Sequence, residues 1–485
     1  MLRVPGLTIL AVSRSFAFEA DMAESNAFDV VVIGAGPAGV SAAVTAAQLG
    51  KSVAVVEKNT AVGGAALNTG TVPSKTLRET ALALSGLRTR RLYGVDLSLR
   101  RECTVSDLLR HERAVRDTEQ ARWAGLLGRY GVTVVPGKAS FVDSHTLAIA
   151  SPAGERRLTA STIIIAIGSS PVRPPQFKFE HPRIHDSDEI VNLEDVPKSL
   201  AVVGAGVIGS EYACTFAALG VPVHVVDGRD CLLPFLDLEI AQALTAAMTD
   251  LGIVFHWKEQ VTACDAPADG DIHLQLASGQ ELVVDAVLVA SGRESRTADL
   301  NPDAAGLLVG KRGQLSVDEN FRTNVKHINA VGDVIGFPAL ASVSAEQGRI
   351  AAAHVCGDPS VVGMPAIFPT GIYTIPEVGS VGQTEGELKG KGIEYVIGKA
   401  EYAQTARGEI IGDRTGFLKL LFAKNDLRLL GAHAIGEQAT ELVHLGLMAL
   451  QTGGGAELFW RTCFNYPTLG DLYKLAAYMA ILKRG

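Results

Sequence analysis

Apolar residues along this chain gather into short runs separated by glycine turns, and one such arrangement occurs twice. From Phe28 the chain reads FDVVVIGAGPAGVSAAVTAAQLGKSVAVVEK. The unbroken run VVVI predicts a strand covered on both faces, as in a parallel sheet. The turn Gly34-Ala35-Gly36-Pro37-Ala38-Gly39 follows, then a helix of small residues, then a second apolar run ending at Glu57. Further on, SLAVVGAGVIGSEYACTFAALGVPVHVVDGRD repeats the unit with Gly204, Gly206, Gly209 and a strand-ending Asp227. The offset is constant: 34 to 204, 36 to 206, 39 to 209, 57 to 227.

Strand, GxGxxG turn, helix and strand in this order form a dinucleotide-binding unit. Gly34 and Gly204 permit the tight turn, Gly36 and Gly206 let the backbone approach a pyrophosphate, and Gly39 and Gly209 let helix pack on strand. Free N–H groups and the dipole at the helix start hold the phosphates. Glu57 is placed to accept hydrogen bonds from a ribose diol, and Asp227 suits the 2′-hydroxyl of NAD. Arg229, two residues beyond Asp227, is the nearest cation for a 2′-phosphate. Two complete units imply two dinucleotide sites.

Composition and charge narrow the class. The chain has 485 residues, 47% of them hydrophobic, with 51 glycines, which suits a multidomain α/β protein rich in tight turns. A net charge of −8 argues against nucleic acid and anionic lipid as partners, and no run is long enough to span a bilayer. The basic cluster RTRR at 88–91 reads as solvated side chains at a helix end. None of Cys103, Cys214, Cys231, Cys264, Cys356 and Cys463 is spaced as CxxC or CxxxxC, so no metal site is predicted. Free thiols favour a reducing, cytoplasmic setting. Residues 1–27 read either as a transit or weak signal peptide or as a disordered extension before a working start at Met22, the favoured reading. His181 and His185 flank Pro182 without a helical pattern and read as loop residues, and DAPADGD (265–271) reads as a turn between strands.

The stretch GGAALNTGTVPSK (63–75) carries the chemistry. It resembles the active-site segment of the flavin-dependent disulfide reductases, in which two cysteines five positions apart form a redox disulfide. Those places here hold Ala66 and Thr71. The same family ends in HPTxxE before its last helix, whereas this chain has FNYPTLGD, with Tyr466 for the histidine and Asp471 for the glutamate. Both halves of the dithiol machinery are replaced together. With GTVPSK, HPRIHDSDEI, GRDCLLPFLD, VGDVIGFPALASVSAEQGR, FPTGIYTIPEVGSVGQTE and TCFNYPT, the chain resembles one family over nearly all of residues 28–478: the soluble, Si-specific, FAD-dependent pyridine nucleotide transhydrogenases. Members of that family often keep a cysteine near Ala66 and bulkier residues near Asn68 and Thr69.

The resemblance implies an α/β fold with two Rossmann-like domains, for FAD and NAD(P), and a C-terminal α+β dimerisation domain. The FAD domain would comprise 28–160 and 294–360, the NAD(P) domain 161–293, and the dimerisation domain 361–485. STIIIAIGSSP and VVDAVLVASGR would carry the two crossings between domains. The implied activity is hydride transfer from NADPH to NAD+ through FAD, without a disulfide, in a homodimer. Lys75 and Glu211 would form an ion pair beside the flavin N5. Lys58, Gly63, Gly64, Thr71, Ala139, Gly168, Asp333 and Ala341 would join the first glycine turn around FAD, and Gly292 would join the second around NAD(P). Two alternatives stay open: an NAD(P)H diaphorase passing electrons to quinones, and a flavin-binding redox sensor without turnover.

Overall fold

The computed structural model describes residues 26–87 and 104–484. Met22, the RTRR cluster, Cys103 and almost all of the 1–27 extension lie outside the described residues.

The first apolar run forms the strand Ala27–Ile33, with Val53–Glu57 parallel on one side and Gly154–Ile165 parallel on the other. The last of these strands changes character along its length. Its first half pairs antiparallel with Thr146–Ser151, and side chains from Arg157 to Ser161 alternate between outside and inside. Its end, Ile163 to Ile165, is wholly buried and also pairs parallel with Ile328–Ala330. Alternation serves a strand with one wet face, and an unbroken apolar run serves one covered on both. The late strand Ile328–Ala330 thereby delivers Asp333 to the same sheet end as the first glycine turn.

The second unit builds its own parallel sheet, in the order Val254–Trp257, Val223–Asp227, Leu200–Val203, Ala286–Val289, Ile184–Asp186. His185 therefore lies on an edge strand and not in a loop, which corrects the expectation above. The reason is tertiary: Ile184 is buried against this sheet, although the stretch is too short to show a period. His181 stays in the preceding turn, and residues 265–271 join the antiparallel strands Val261–Asp265 and Ile272–Leu276. The two crossings run side by side, Ser170–Pro171 against Arg293–Glu294.

From Thr370 five antiparallel strands form a third sheet, with the helices Ala439–Gln451 and Asp471–Arg484 packed against it. GFLKLLFAKNDLRLLGAHAIG is a hairpin, Phe417–Ala423 and Leu429–Gly436. One continuous core joins the three parts: Leu77 and Leu82 of helix Thr71–Ser85, Tyr212 and Phe216 of helix Val207–Ala218, Ile372 and Phe417 of the third sheet, and Ile375 between its first two strands. No described helix is long and apolar enough to cross a membrane.

Candidate active site

Both glycine turns end in helices prepared for an anion. Pro37–Gln48 and Val207–Ala218 have no side-chain cap and no acidic residue in the first turn. By contrast, Val105–Arg129 and Glu385–Gly390 are closed by capping boxes. An uncapped start leaves N–H donors for a phosphate. The turn itself is tight: Gly34 has φ 103°, and a Cβ there would lie 2.4 Å from the Ala166 carbonyl oxygen. Only glycine meets both demands without strain.

A cavity of about 340 Å³ opens at the first turn. Gly34, Gly36, Glu57, Lys58, Gly64, Thr71, Ala139, Gly168, Asp333 and Ala341 all line it, so ten expected positions meet in one place. Gly39 and Gly63 stand just behind, where Gly39 packs on Gly34 and the Gly63 N–H donates to Ala35 O at 2.7 Å. Glu57 closes one end. Its Oε2 accepts from the Ala35 N–H at 2.8 Å and its Oε1 from the Asn59 N–H at 2.9 Å. A carboxylate offers about four acceptor positions, so two are left for a diol. Asp333 closes the other end and accepts from the Ser169 hydroxyl at 2.8 Å, which in turn accepts from Arg293 Nε at 2.9 Å. Thr69 lines the cavity, and its hydroxyl is buried without a partner. A buried polar atom without a partner costs free energy unless something in the cavity satisfies it. An elongated anionic dinucleotide with polar ends fits this lining.

Lys75 and Glu211 meet across the junction of the two units, Nζ to Oε2 at 2.6 Å. Glu211 is nearly buried, whereas Lys75 keeps about a quarter of its side chain exposed. PSK enters a helix at Gly70 because the left-handed Gly63 and the short helix Gly64–Asn68 reverse the chain first. That reversal aims Lys75 at the helix carrying Glu211. Neither residue belongs to the lining of the cavity.

At the second turn, Asp227 repeats what Glu57 does: its Oδ2 accepts from the Ala205 N–H at 2.6 Å. Its Oδ1 accepts the Arg229 N–H at 2.9 Å, as Glu57 accepts that of Asn59, and only the side-chain contacts differ. Arg229 grips it bidentately, Nε to Oδ1 at 2.8 Å and Nη2 to Oδ2 at 2.7 Å. Burial would raise the Asp227 pKa, but these hydrogen bonds outweigh it and hold the carboxyl below its usual range. Gly204 repeats the Gly34 geometry, Gly209 the Gly39 contact, and Gly292 with φ 118° ends the neighbouring strand's exit, close behind Ala290, which crowds Gly204. These residues lie at the C-terminal ends of adjacent interior strands of the second sheet and are not among the residues lining the cavity.

Sequence reasoning passed over Ser169, Asp188, Arg296, Asp299 and Thr69, all of which line the cavity. Ser169 had its place directly after Gly168; Thr69 lies within GGAALNTGTVPSK and Asp188 within HPRIHDSDEI, neither given a role, and Arg296 and Asp299 sit in a stretch without a motif. Tyr373, which touches both Lys75 and Glu211, lies in FPTGIYTIPEVGSVGQTE, a stretch that marked the family and assigned the tyrosine no role.

Residues 28–348 match the family model described as pyridine nucleotide-disulphide oxidoreductase, and residues 368–477 match the dimerisation domain of the same description. A relative from Mycobacterium tuberculosis named soluble pyridine nucleotide transhydrogenase is 46% identical over 93% of this chain and 96% of its own. Another of that name from Vibrio cholerae is 40% identical over 94% and 98%. Among solved structures, LpdA from Mycobacterium tuberculosis superposes with a TM-score of 0.86 at 26% identity, covering 94% of this chain and 99% of that one. RclA from Escherichia coli, described as an HOCl-induced flavoprotein disulfide reductase, gives 0.83 at 27%, covering 92% and 99%. Sequence, fold and the doubled glycine turn agree, and the chain belongs to the pyridine nucleotide-disulphide oxidoreductase family.

Proposed function

We propose that the protein is a cytoplasmic, homodimeric transhydrogenase that holds FAD in the cavity at the first glycine turn and moves hydride from NADPH to NAD+. The observation that carries this reading is the Lys75–Glu211 pair, kept at 2.6 Å in a segment whose redox positions are Ala66 and Thr71. The ion pair of a reductase is present where sulfur is not. Among the described cysteines Cys214 is the buried one, and burial pushes its thiol up to about 12, so it offers no thiolate.

FAD, when bound, supplies a two-electron relay that accepts and returns hydride. The chain's residues do the rest. The start of helix Pro37–Gln48 binds the pyrophosphate, Glu57 the adenosine ribose, and Asp333 the ribityl hydroxyls. Lys75 holds a fixed positive charge where negative charge develops, and Glu211 keeps it from swinging into water. The start of helix Val207–Ala218 binds the pyrophosphate of the nicotinamide nucleotides, which use this one site in turn.

Discrimination between them falls to Asp227 and Arg229. A carboxylate 4 Å from a 2′-phosphate charge repels it by about 4 kcal/mol at an effective dielectric near 20. Asp227 is turned toward the arginine and away from solvent, so its charge is already compensated. Arg229 keeps nearly half its side chain exposed and can lend a donor to a phosphate. Such a hydrogen bond contributes about 1.5–3 kcal/mol.

The test is steady oxidation of NADPH by purified protein with NAD+ as sole acceptor. Turnover only with quinones or dyes would move the assignment to a diaphorase, and none with any acceptor would make it a binding protein. Heat-released cofactor should be FAD and not FMN. Lipoamide and glutathione disulfide should not be reduced, and anaerobic NADPH should give no long-wavelength thiolate–flavin band.

A further inference from the structure

The Lys75–Glu211 pair is held by the third domain. Glu211 accepts Lys75 on Oε2 and the Tyr373 backbone N–H on Oε1 at 2.9 Å, so both oxygens are engaged and the carboxylate plane is fixed. The Tyr373 ring lies beneath the same ammonium, 5.0 Å from Nζ to centroid. One helical turn beyond Lys75, the buried Arg78 donates from Nε to the Thr374 carbonyl at 3.0 Å and pairs with Glu377 at 3.2 Å. Glu377 accepts the Thr440 hydroxyl at 2.8 Å. The contacts tie two turns of Lys75's helix to one segment of the third domain: Lys75 through Glu211 to Tyr373, and Arg78 to Thr374 and Glu377.

We propose that Tyr373 is a positioning residue for Lys75, its ring holding the ammonium from below while its N–H holds the partner carboxylate. Lys75 needs such a hold. Its four-carbon stem is flexible and partly exposed, and besides the carboxylate the ammonium makes a long hydrogen bond, 3.3 Å, to the Ser74 hydroxyl, which keeps it near Glu211 and leaves its direction loose. A ring face adds a further point of attraction in a different direction, worth two- to five-fold in the population of the held position for a partly exposed lysine. Glu211 is oriented from the backbone, which no side-chain substitution at 373 removes, so the ring's part can be isolated.

The experiment uses full-length holoenzyme and a readout independent of turnover. Limiting acetic anhydride labels lysines at fixed pH, and mass spectrometry compares the Lys75 peptide with that of an exposed lysine, Lys311. In the ring-free variant Tyr373→Met, Lys75 labelling should rise about two- to five-fold and kcat should fall several-fold, with KM for NADH within two-fold. Tyr373→Phe, which keeps the ring and loses only the hydroxyl, should stay within two-fold of wild type in both. Tyr373→Leu serves as a second ring-free variant if Tyr373→Met does not fold. Wild-type labelling in a folded ring-free variant overturns the proposal, and so does Tyr373→Phe behaving like Tyr373→Met. The kcat arm rests on the transhydrogenase reading. Were wild type to lack NADPH-to-NAD+ turnover, that reading would fall while the labelling contrast still decided the role of Tyr373.

Discussion

The two glycine turns are the same local solution set in different surroundings. Gly34 and Gly204 have φ of 103° and 110°, and a Cβ on either would strike a carbonyl oxygen, Ala166 at 2.4 Å or Ala290 at 2.5 Å. Glu57 and Asp227 each accept the N–H of the alanine inside their turn. The difference is what lies over them. Gly64 sits on Gly36, where an added Cβ would come 2.8 Å from the Gly36 Cα, and residues 331–344 close the cavity behind. Over Gly206 nothing stands within 4 Å of where a Cβ would be. A turn that is roofed suits a resident cofactor, and an open one suits a nucleotide that comes and goes. Local sequence makes a phosphate site, and the covering decides how long the ligand stays.

The strongest way to break that comparison is to damage both turns alike. Gly34→Ala and Gly204→Ala each force a strained backbone at a cost of about 1–3 kcal/mol. The first should leave the purified protein colourless, with flavin absorbance per chain below about a tenth of wild type. The second should leave it yellow and raise KM for both nucleotides about ten-fold. Flavin loss in both variants would erase the distinction.

Next in size is the pair that joins the units. Lys75→Met should lower turnover about 10²- to 10³-fold, as removal of one preorganised donor does, with flavin retained. It also leaves Glu211 buried and unpaired, destabilising by about 3–5 kcal/mol. Lys75→Met with Glu211→Gln should recover most of the melting temperature and none of the rate. Full recovery of both would mean the pair is only structural.

Arg229 separates the two units chemically, since the first carries Asn59 in the same place. Arg229→Asn should raise KM for NADPH about 10- to 150-fold and change KM for NADH only a few-fold. Equal effects on both nucleotides would remove Arg229 from phosphate recognition.

The smallest effect is one of pH, and it concerns only the second unit. Lys419 of the third sheet is wholly buried and ties down that unit's helix Leu238–Asp250, reaching its cap Asp237 at 2.7 Å and Glu385 at 2.6 Å. Burial alone would raise Glu385, but hydrogen bonds from Lys419 and Tyr395 bring it down to about 2. A depressed carboxyl contributes stability above its ordinary value, 4.5, and loses it as pH falls toward 2. Burial would lower Lys419, yet its carboxylates raise it to about 12, so its share is complete below 10.5 and is lost only above that. The gap in melting temperature between wild type and Lys419→Met should therefore narrow on acidification from about pH 5 to pH 2, by calorimetry. A constant gap would show that the knot does not titrate as described.

Much of this was legible in the residues. The doubled turn, its acids and Lys75 announced themselves because their chemistry needs fixed spacings within one short segment. His185 was misplaced for the opposite reason: a three-residue edge strand has no period, and only its partner Ala286–Val289 makes it one. The cavity's Arg296 and Asp299 were missed because their role depends on segments far away in sequence that turn the same way.

The sequence by itself determined the two nucleotide units, the absence of sulfur at positions 66 and 71, and the family. Glycine φ and strand-end acids are local constraints, and a chain states them in order. Tertiary structure alone decided that Gly64 roofs Gly36 and that Tyr373 lies under Lys75. These contacts join residues up to hundreds of positions apart, and they exist because burying the apolar faces of three domains in one core leaves their polar edges to meet.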